Sequence, residues 1–519
     1  MSNAAVMIQS VGAAWAMSLI ASAQWVALVQ TATFLPLALL TLPAGALADT
    51  FDRKRVQIVA LLISMLGAMG LVAASELQVL SPALLLGLCF WIGCGMAIMG
   101  PAWQASVSEQ VGTDLLPQAI TLNGMSYNVA RSFGPALGGG IVAAMGASVA
   151  FLINAIGYIP MIIALALWKR VVEPSRLPPE RFFSAIGAGV RYVINLTPAR
   201  SVILRIFFFG LGSSALNALM PLVARDLLEG DAQTFGLLLG SFGVGSVLLG
   251  LNINWIRRFH NESIVRVATA ILAFLVFCVG SSDTLWLTML LLLGCGAAWM
   301  SVMTTATVTL QLFVPRWVMG RAVALNTTSI CLGASIGSWF WGESVLRVGT
   351  GTTLHYAAGI LLATLLAGFF FRVQDRLHST EDADLMISDP TIKLAINGRS
   401  GPVLIEVSYE VAPEQARDFY NVMQELRLIR QRNGAKDWML SRDIAAPEKW
   451  QERFRCSTWD GYLRLRSRGT VEERVVFERA RDMHVGLSPI SVRRLLERPV
   501  GSVRWQEESP DRGDIEPIA

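Results

Sequence analysis

Charged residues are scarce in this sequence, and they are unevenly placed. Asp, Glu, Lys and Arg make up only 15% of the 519 residues, whereas 53% are hydrophobic. That balance is unusual for a soluble globular domain. About half of the charged residues lie after Ile392, which leaves the preceding part poorer still in charge. The composition therefore predicts a membrane protein with a soluble C-terminal segment.

Several motifs of soluble enzymes are absent. No phosphate-binding loop of the form G-x-x-x-x-G-K-[ST] occurs, which argues against direct ATP drive. No His or Cys residues have the spacing of a metal site, and five of the six cysteines lie in apolar stretches, so no disulfide framework is implied. The first stretch lacks the basic start of a cleavable signal peptide. We therefore expect no enzymatic activity, no metal and no cofactor.

Twelve apolar stretches before Arg372 are each long enough to cross a bilayer. A hydrocarbon core about 30 Å thick takes about 20 helical residues, and each backbone polar group in lipid must be bonded within its own helix. We therefore predict an all-α membrane region of twelve helices. The predicted spans are Ala4–Ala21, Trp25–Ala48, Val56–Ser75, Pro82–Trp103, Ile120–Met145, Ala147–Trp168, Val202–Ala224, Phe235–Trp255, Ile264–Gly280, Leu285–Thr307, Ala322–Leu346 and Leu354–Phe371.

A basic, proline-rich linker divides these spans six and six. We predict an N-terminal six-helix bundle over residues 1–168, a cytoplasmic linker over 169–200 and a C-terminal six-helix bundle over 201–372. Lys and Arg collect in alternate loops, and positively charged loops stay cytoplasmic. Both termini are therefore expected in the cytosol. The loop residues behind this orientation are Arg53, Lys54, Arg55, Lys169, Arg170, Arg257, Arg258, Arg316 and Arg321.

The two predicted bundles share a repeated sequence. Ala119–Gly134 aligns without gaps with Ala322–Gly337, so span five duplicates span eleven. Gly45–Arg53 aligns with Gly250–Arg258 and keeps the glycine and the arginine. Small identities in apolar helices also arise by chance. A true duplication favours a transporter, because such proteins rock one half of a repeated bundle against the other around a central site.

The loop after span two carries a motif known from one family. Gly45-Ala-Leu-Ala-Asp-Thr-Phe-Asp-Arg-Lys-Arg55 resembles the signature of the major facilitator superfamily. The runs Gln9–Trp15, Val26–Gln30 and Arg131–Gly139 resemble a bacterial branch that includes the enterobactin exporter. The resemblance implies the major facilitator fold, a siderophore or drug-like substrate and the bacterial inner membrane. Members of this branch usually have a longer, basic start, so we expect a shortened N-terminus here.

The loop motif has a mechanical interpretation. Gly45 allows close helix approach, Asp49 can face the positive end of a neighbouring helix, and Arg53 can meet a carboxylate or a helix C-terminus. Glu109 is the nearest candidate for the acidic partner on span four. Alternatively, the basic residues only fix the topology. The predicted conformational latch consists of Gly45, Asp49, Arg53, Lys54 and Arg55.

Span five has a glycine-rich face beside a proline. Gly134 and Pro135, followed by Gly138 and Gly139, predict a kinked helix with a face that lacks side chains. Such a face suits close packing between the halves. Within the superfamily a similar run is associated with exporters. Small-residue packing of the kind found in any helical bundle is the alternative.

Polar side chains within the spans are candidates for the substrate path. Most such residues form interhelical hydrogen bonds, and others line cavities. Arg131, about two turns into span five, either binds an anionic substrate group or extends to the cytoplasmic surface. Trp299 can offer an aromatic surface. The candidates are Gln9, Gln30, Asn123, Asn128, Arg131, Asn217, Trp299 and Asn326.

No Asp or Glu lies in the middle of any predicted span. A titrating carboxylate is the usual proton carrier in proton-driven transport. The sequence therefore assigns no coupling residue. Asp49, Glu109 and Asp226, all near span ends, are the candidates that remain.

The segment over residues 398–500 changes to a soluble pattern. Its predicted elements are ordered β, α, β, β, α, β, which is a ferredoxin-like plan. It resembles the antibiotic-biosynthesis monooxygenase fold, which commonly dimerises through its sheet. Residues 373–397 are a predicted linker, and residues 501–519 are predicted to be disordered. The tail's arginines and glutamates balance, so nucleic acid is not an expected partner.

Two functions remain open from the sequence. The first is a secondary active transporter, an exporter of a small amphipathic molecule by alternating access. The second is a membrane anchor without transport, whose ferredoxin-like domain binds or modifies a small ligand. The expected partners are the lipid bilayer and a small-molecule substrate. A monomer is expected, and the C-terminal domain offers a route to a dimer.

Overall fold

The computed structural model of this chain describes residues 2–111, 115–168, 182–252, 256, 258–373, 390, 392–394 and 396–497. The chain divides into two compact units. The helical unit comprises Met1–Ile186, Pro198–Gln311 and Gly320–Leu377. The second unit, called here the sheet unit, comprises Gly187–Thr197, Leu312–Met319 and His378–Ala519.

The helical unit is built from long apolar helices. Ten helices in the described part of the chain are long and apolar enough, by length and composition, to cross a membrane. The helices up to the sheet unit's tail are α1 (Ser2–Ile20), α2 (Ala23–Thr50), α3 (Arg53–Glu76), α4 (Pro82–Gln110), α5 (Leu116–Met145), α6 (Ala147–Gly157), α7 (Ile159–Leu167), α8 (Phe182–Ile194), α9 (Thr197–Leu222), α10 (Ala232–Leu251), α11 (Asn261–Gly280), α12 (Leu285–Phe313), α13 (Arg316–Val348) and α14 (Thr350–Phe370).

The structure differs from the predicted spans in several details, including helix ends such as the start of α13 at Arg316 rather than Ala322. Span six is interrupted at Tyr158, because Pro160 stands in the first turn of α7 and has no N–H to continue the preceding helix. Helix α8 forms inside the predicted linker. Helix α11 begins at Asn261, ahead of the predicted start at Ile264. Helices α5 and α13, at the positions of spans five and eleven, are 30 and 33 residues long and are not among the ten.

A buried ion group joins three helices of the helical unit. Arg205 on α9 donates to Glu262 on α11 at 2.5 Å, and both side chains are less than 10% exposed. Arg266, one turn further along α11, donates to the same carboxylate. Glu262 also accepts a hydrogen bond from the backbone N–H of Val373 at 2.8 Å, just after α14. The carboxylate thus compensates two cations and fixes the end of the last helix.

The tail of the sheet unit contains a four-stranded antiparallel sheet with helices between its strands. The strand order is β2-β3-β1-β4, and Ile405 pairs with Phe454 on one side and Arg494 on the other. Alternate residues of β1, including Val403 and Val407, pack into the core. The elements are β1 (Val403–Glu410), α15 (Ala416–Asn433), β2 (Lys436–Arg442), β3 (Lys449–Cys456), α16 (Trp459–Ser467), α17 (Val471–Asp482) and β4 (Ser491–Leu496).

Two short segments from between the membrane helices belong to the sheet unit. Tyr192 on α8 and Trp317 at the start of α13 meet edge to face, with ring centroids 5.3 Å apart. The guanidinium of Arg468, which follows α16, lies 3.8 Å from the centre of the Trp317 ring. These aromatic and cation–π contacts hold residues 187–197 and 312–319 against the tail.

Replacing Glu262 by Gln is expected to destabilise the protein strongly. The change leaves Arg205 buried without a counter-charge, which costs about 3–5 kcal/mol in comparable buried pairs. Thermal unfolding of the purified protein in detergent or nanodiscs measures the effect as a lower Tm. Glu343→Gln is the matched control, because Glu343 pairs with an exposed arginine, Arg347, across one turn and its loss costs at most about 1 kcal/mol. Equal Tm values for the two variants would contradict a structural role for the buried group.

Candidate functional site

The C-terminal ends of α2 and α4 lie around Arg53, the first residue of α3. The Arg53 guanidinium donates to the Glu109 carboxylate and to the Ala105 carbonyl, both at 2.8 Å, near the end of α4. Its Nε donates to the Ala48 carbonyl at 3.3 Å, near the end of α2. A cation at these carbonyl ends is favoured by the helix dipole. The structure thus pairs Arg53 with the acidic candidate that the sequence named on span four.

Two further residues of the predicted latch have defined partners. The Lys54 ammonium donates to the carbonyls of Ala166 and Trp168 at 2.9 and 2.8 Å, at the end of α7. The backbone N–H of Arg55 donates to the Asp52 carboxylate, which caps α3. Arg53 and Lys54 therefore connect the ends of α2, α4 and α7. The helices α1 to α7 are called here the first half of the helical unit, and α9 to α14 the second half. These contacts tie the first half together at the end that carries Arg53, Lys54 and Arg55, called here the basic end.

No neighbouring helix packs closely on Gly45 in this structure. A Cβ built on Gly45 would meet no atom within 4 Å. Close approach of a neighbouring helix therefore does not explain this glycine in the described structure, and its role in the latch stays a prediction. The side chain of Asp49 lies outside the described residues.

The two halves of the helical unit meet near the ends opposite the basic loops. Gly139 on α5 and Gly236 on α10 cross so closely that a Cβ on either would lie 2.6 Å from the other's Cα. Only glycine permits this approach. Gly134 and Gly138 of the same face instead pack against Met7 and Ile8 of α1, within the first half. The glycine-rich face of α5 thus serves both packing within a half and contact between halves.

Further contacts between the halves lie on the same side. Trp15 of α1 stacks on Phe235 of α10, with ring centroids 6.2 Å apart. Arg225, in the π-helical turn after α9, donates to the Ser18 carbonyl near the end of α1. Thr31 of α2 donates to the carbonyl of Ser335 on α13 at 3.1 Å. With Gly139 and Gly236, these contacts close the helical unit at the end remote from Arg53.

Pro135 lies within α5 and contributes its carbonyl to the same crossing. A Cβ on Gly236 would lie 2.9 Å from the Pro135 carbonyl oxygen. Proline interrupts the hydrogen-bond ladder of a helix one turn before its own position. The proline and the glycine crossing thus occupy the same part of α5.

Two polar candidates of the substrate path are engaged in interhelical hydrogen bonds. Gln9 on α1 accepts a hydrogen bond from the amide of Asn154 on α6, which also donates to the Tyr158 hydroxyl at 3.3 Å. Asn123 on α5 accepts from the indole N–H of Trp103 on α4 at 3.2 Å and is exposed. These contacts agree with the interhelical interpretation for Gln9 and leave Asn123 at an exposed face of α5.

The remaining candidates differ in their surroundings. The Asn326 side chain is buried, and its Oδ1 has no hydrogen-bond partner among the described residues. Trp299 packs edge to face on Phe242 at 6.2 Å, and Gln30 and Asn217 are half-buried. The side chains of Asn128 and Arg131 lie outside the described residues, as do residues 169–181, 374–389 and 498–519.

Sequence reasoning missed the carboxylate of Glu262. Hydropathy started span nine at Ile264 and so left Glu262 in a loop, whereas the helix begins earlier and buries it. The spacing of Glu262 and Arg266, one turn apart, was a signal for this pair. In the described part of the chain, no three His, Cys, Asp or Glu side chains form a group that could hold a metal.

A family model matches most of this chain, and known proteins resemble parts of it. The family described as transmembrane secretion effector (MFS_3) matches residues 1–500. The enterobactin exporter EntS of Salmonella typhi is 24% identical over 300 residues, which cover 57% of this chain and 72% of that protein. The multidrug efflux pump Tap of Mycobacterium bovis (strain BCG / Pasteur 1173P2) is 31% identical over 203 residues, 35% of this chain and 45% of the pump. A solved bacterial homologue of the human lysosomal transporter Spinster, inward-facing and unoccupied, shares the fold with a TM-score of 0.53 at 15% identity, covering 71% of this chain and 92% of its own.

Reversing the charges of Arg53 and Glu109 separately is expected to lower stability, and reversing both is expected to restore part of it. Each single variant, Arg53→Glu or Glu109→Arg, places two like charges together at the helix ends, whereas the double variant re-forms an ion pair. We expect a coupling free energy of about 1 kcal/mol, because the pair is partly exposed. Thermal unfolding of the four proteins measures it. Additive losses would show that Arg53 acts only through the carbonyls of Ala48 and Ala105.

Proposed function

Because this chain belongs to the transmembrane secretion effector family of the major facilitator superfamily, we propose that it exports a small amphipathic molecule, siderophore or drug-like, by alternating access. It is a multi-pass membrane transporter. The exporters of enterobactin and of drugs among its relatives support the substrate class. The contact of the halves around Gly139 and Gly236 is the observation that carries the mechanism.

The proposed resting state is open toward the basic end. Contacts between the halves involve Gly139, Gly236 and Arg225, all near the opposite end of their helices. Basic loops mark the cytoplasmic side of a membrane protein. We therefore propose twelve spans in a bacterial inner membrane, with both termini in the cytosol and the substrate entering from there. Closing the basic end would then release the substrate on the other side.

Within the proposed path, Asn326 and Trp299 are the residues best suited to contact the substrate. The unpartnered Oδ1 of Asn326 needs a donor, which a hydroxyl or N–H group of the substrate can supply. Trp299 offers an aromatic ring for an amphipathic molecule. The loop around Arg53 acts as a latch that holds α2, α4 and α7 together as the halves move.

We assign the tail a ferredoxin-like plan and a role other than transport itself. Its antiparallel order β2-β3-β1-β4, with α15 after β1 and two helices before β4, supports that plan. We propose that the chain is a monomer. The sheet of the tail is the surface through which two copies would dimerise. The alternative function is a membrane anchor without transport. Flux measurements on the full chain distinguish it from an exporter.

Inside-out membrane vesicles that contain the full chain are expected to take up enterobactin or ethidium when a proton gradient is imposed. Uptake should stop when an ionophore collapses the gradient, and Asp49→Asn should abolish it. Asp231→Asn is the matched control, because Asp231 caps α10 at the opposite end and asparagine caps equally well. A panel of siderophores and drugs without any gradient-dependent uptake would favour the anchor instead.

A disulfide between the halves is expected to stop transport. A Cβ at Gly342 would lie 2.7 Å from that of Ala27, so Ala27→Cys with Gly342→Cys should cross-link after a small shift and fix the closed end. Substrate flux in a cysteine-free background, before and after reduction, measures the effect. Ala5→Cys with Gly157→Cys is the control, since these residues are equally close but lie within one half. Undiminished flux in the oxidised first pair would contradict alternating access around this contact.

A further inference from the structure

The tail contains a cleft of about 1000 Å³ between its sheet and the helices α16 and α17. Ile405, Val407 and Phe454 of the sheet form one apolar wall, and Leu465 and Phe477 of the helices form the other. A cleft of this volume holds a small organic molecule of several rings. All its lining residues come from the tail, so it is separate from the proposed transport path.

Cationic side chains surround this cleft. Five arginines line it, against the carboxylates of Glu473 and Asp482. Arg481 and Arg494 form no ion pair with any described residue, and the Nε of Arg494 donates to the Tyr462 hydroxyl at 2.8 Å, which leaves the outer edge of the guanidinium free. That edge suits a carboxylate. The five arginines are Arg430, Arg466, Arg474, Arg481 and Arg494.

The most buried charges of the cleft already have partners. Arg430 pairs with the fully buried Glu452 at 3.1 Å. Burial raises the pKa of Tyr409 far above its usual value, so its hydroxyl stays protonated and donates to Glu452. The charges of Arg430 and Glu452 thus compensate each other inside the protein. The net positive charge of the cleft comes from the arginines at its rim.

One buried acceptor in the cleft lacks a donor. Asn433, at the end of α15, is 4% exposed, and its amide N–H groups donate to the Glu473 carboxylate at 3.0 and 3.2 Å. Its Oδ1 has no hydrogen-bond partner among the described residues. A buried carbonyl without a donor is costly, and a hydroxyl or N–H group of a ligand would remove that cost.

We propose that this cleft binds a small aromatic carboxylate that also carries a hydroxyl or N–H donor. The carboxylate pairs with Arg494 and Arg481, the ring packs between the apolar walls, and the donor bonds the Asn433 Oδ1. Glu473 also pairs with Arg432 at 2.7 Å, and the Arg432 guanidinium lies 5.9 Å from the Tyr192 ring on α8. Because the site thus reaches a segment outside the tail, its test uses the full chain.

Titration of the full-length protein in nanodiscs with 6-hydroxy-2-naphthoate, followed by calorimetry, tests the site. We expect saturable binding of one molecule per chain. Two matched probes are expected to bind at least about tenfold more weakly: 2-naphthoate, which lacks the donor, and 6-hydroxy-2-naphthamide, which lacks the charge. Equal affinities for the three probes, or no saturable binding of any, would overturn the proposal.

Variants separate this cleft from other binding sites on the protein. Arg494→Gln is expected to weaken 6-hydroxy-2-naphthoate binding at least about tenfold, and Arg493→Gln is its control. Arg493 is the preceding residue of β4, faces the other side of the sheet and lies near Glu406. If Arg494→Gln lowers the Tm, the binding measurement is made with Arg481→Gln instead. Arg479→Gln is then the control, because Arg479 pairs with Glu425 outside the cleft. Binding that survives both cleft variants belongs elsewhere and refutes the site.

Discussion

In a helical unit that spans a lipid bilayer, every polar group that leaves water must find its partner inside the protein. The cations of this chain satisfy that constraint in two ways. Arg53 and Lys54 bond carbonyls at the ends of α2 and α7, where the helices cannot bond those groups themselves. Arg53 also bonds Ala105 and Glu109 near the end of α4. Arg205 pairs with a buried carboxylate, and that carboxylate also holds the backbone of Val373. The first arrangement lies within the first half of the unit and the second within the second half. Each half is therefore held together by charge-assisted bonds that are costly to break.

Contacts between the halves are of a different kind. Gly139 against Gly236 and Trp15 against Phe235 are packing contacts, and each atom pair in them contributes little by itself. The polar contacts across the halves are single hydrogen bonds to carbonyls. The bond from the Thr31 hydroxyl contributes about 1 kcal/mol, and the charge-assisted bond from the Arg225 guanidinium to the Ser18 carbonyl contributes about 1.5–3 kcal/mol. Rigid halves joined by separable packing are what a rocking mechanism requires. In the proposed mechanism, the packing contacts and single hydrogen bonds between the halves separate, whereas the ion pairs within each half stay intact.

Hydropathy was sufficient for most helices because lipid demands long apolar segments. Hydropathy failed where a property other than apolarity determined the structure. The break at Tyr158 depends on Pro160, which an average over apolar residues does not detect. Glu262 was assigned to a loop because charge lowers hydropathy, although two arginines compensate that charge in the fold. In the tail, alternation of apolar and polar residues was a local signal for strands, and the described part of the tail forms a four-stranded sheet. No such local signal predicted the unpartnered Oδ1 of Asn433, because the residue that its amide bonds, Glu473, comes from α17.

The sheet unit is not confined to the sequence after the last helix. Residues 187–197 and 312–319 belong to the same compact unit as the tail. Trp317 stands between Tyr192 and the guanidinium of Arg468, so three distant parts of the chain share one aromatic contact. Removing the tail would expose Trp317 and Tyr192 to water and would leave both segments without their packing partners. The tail and these two segments therefore depend on each other for their structure, and substitutions within the intact chain are more informative than truncation.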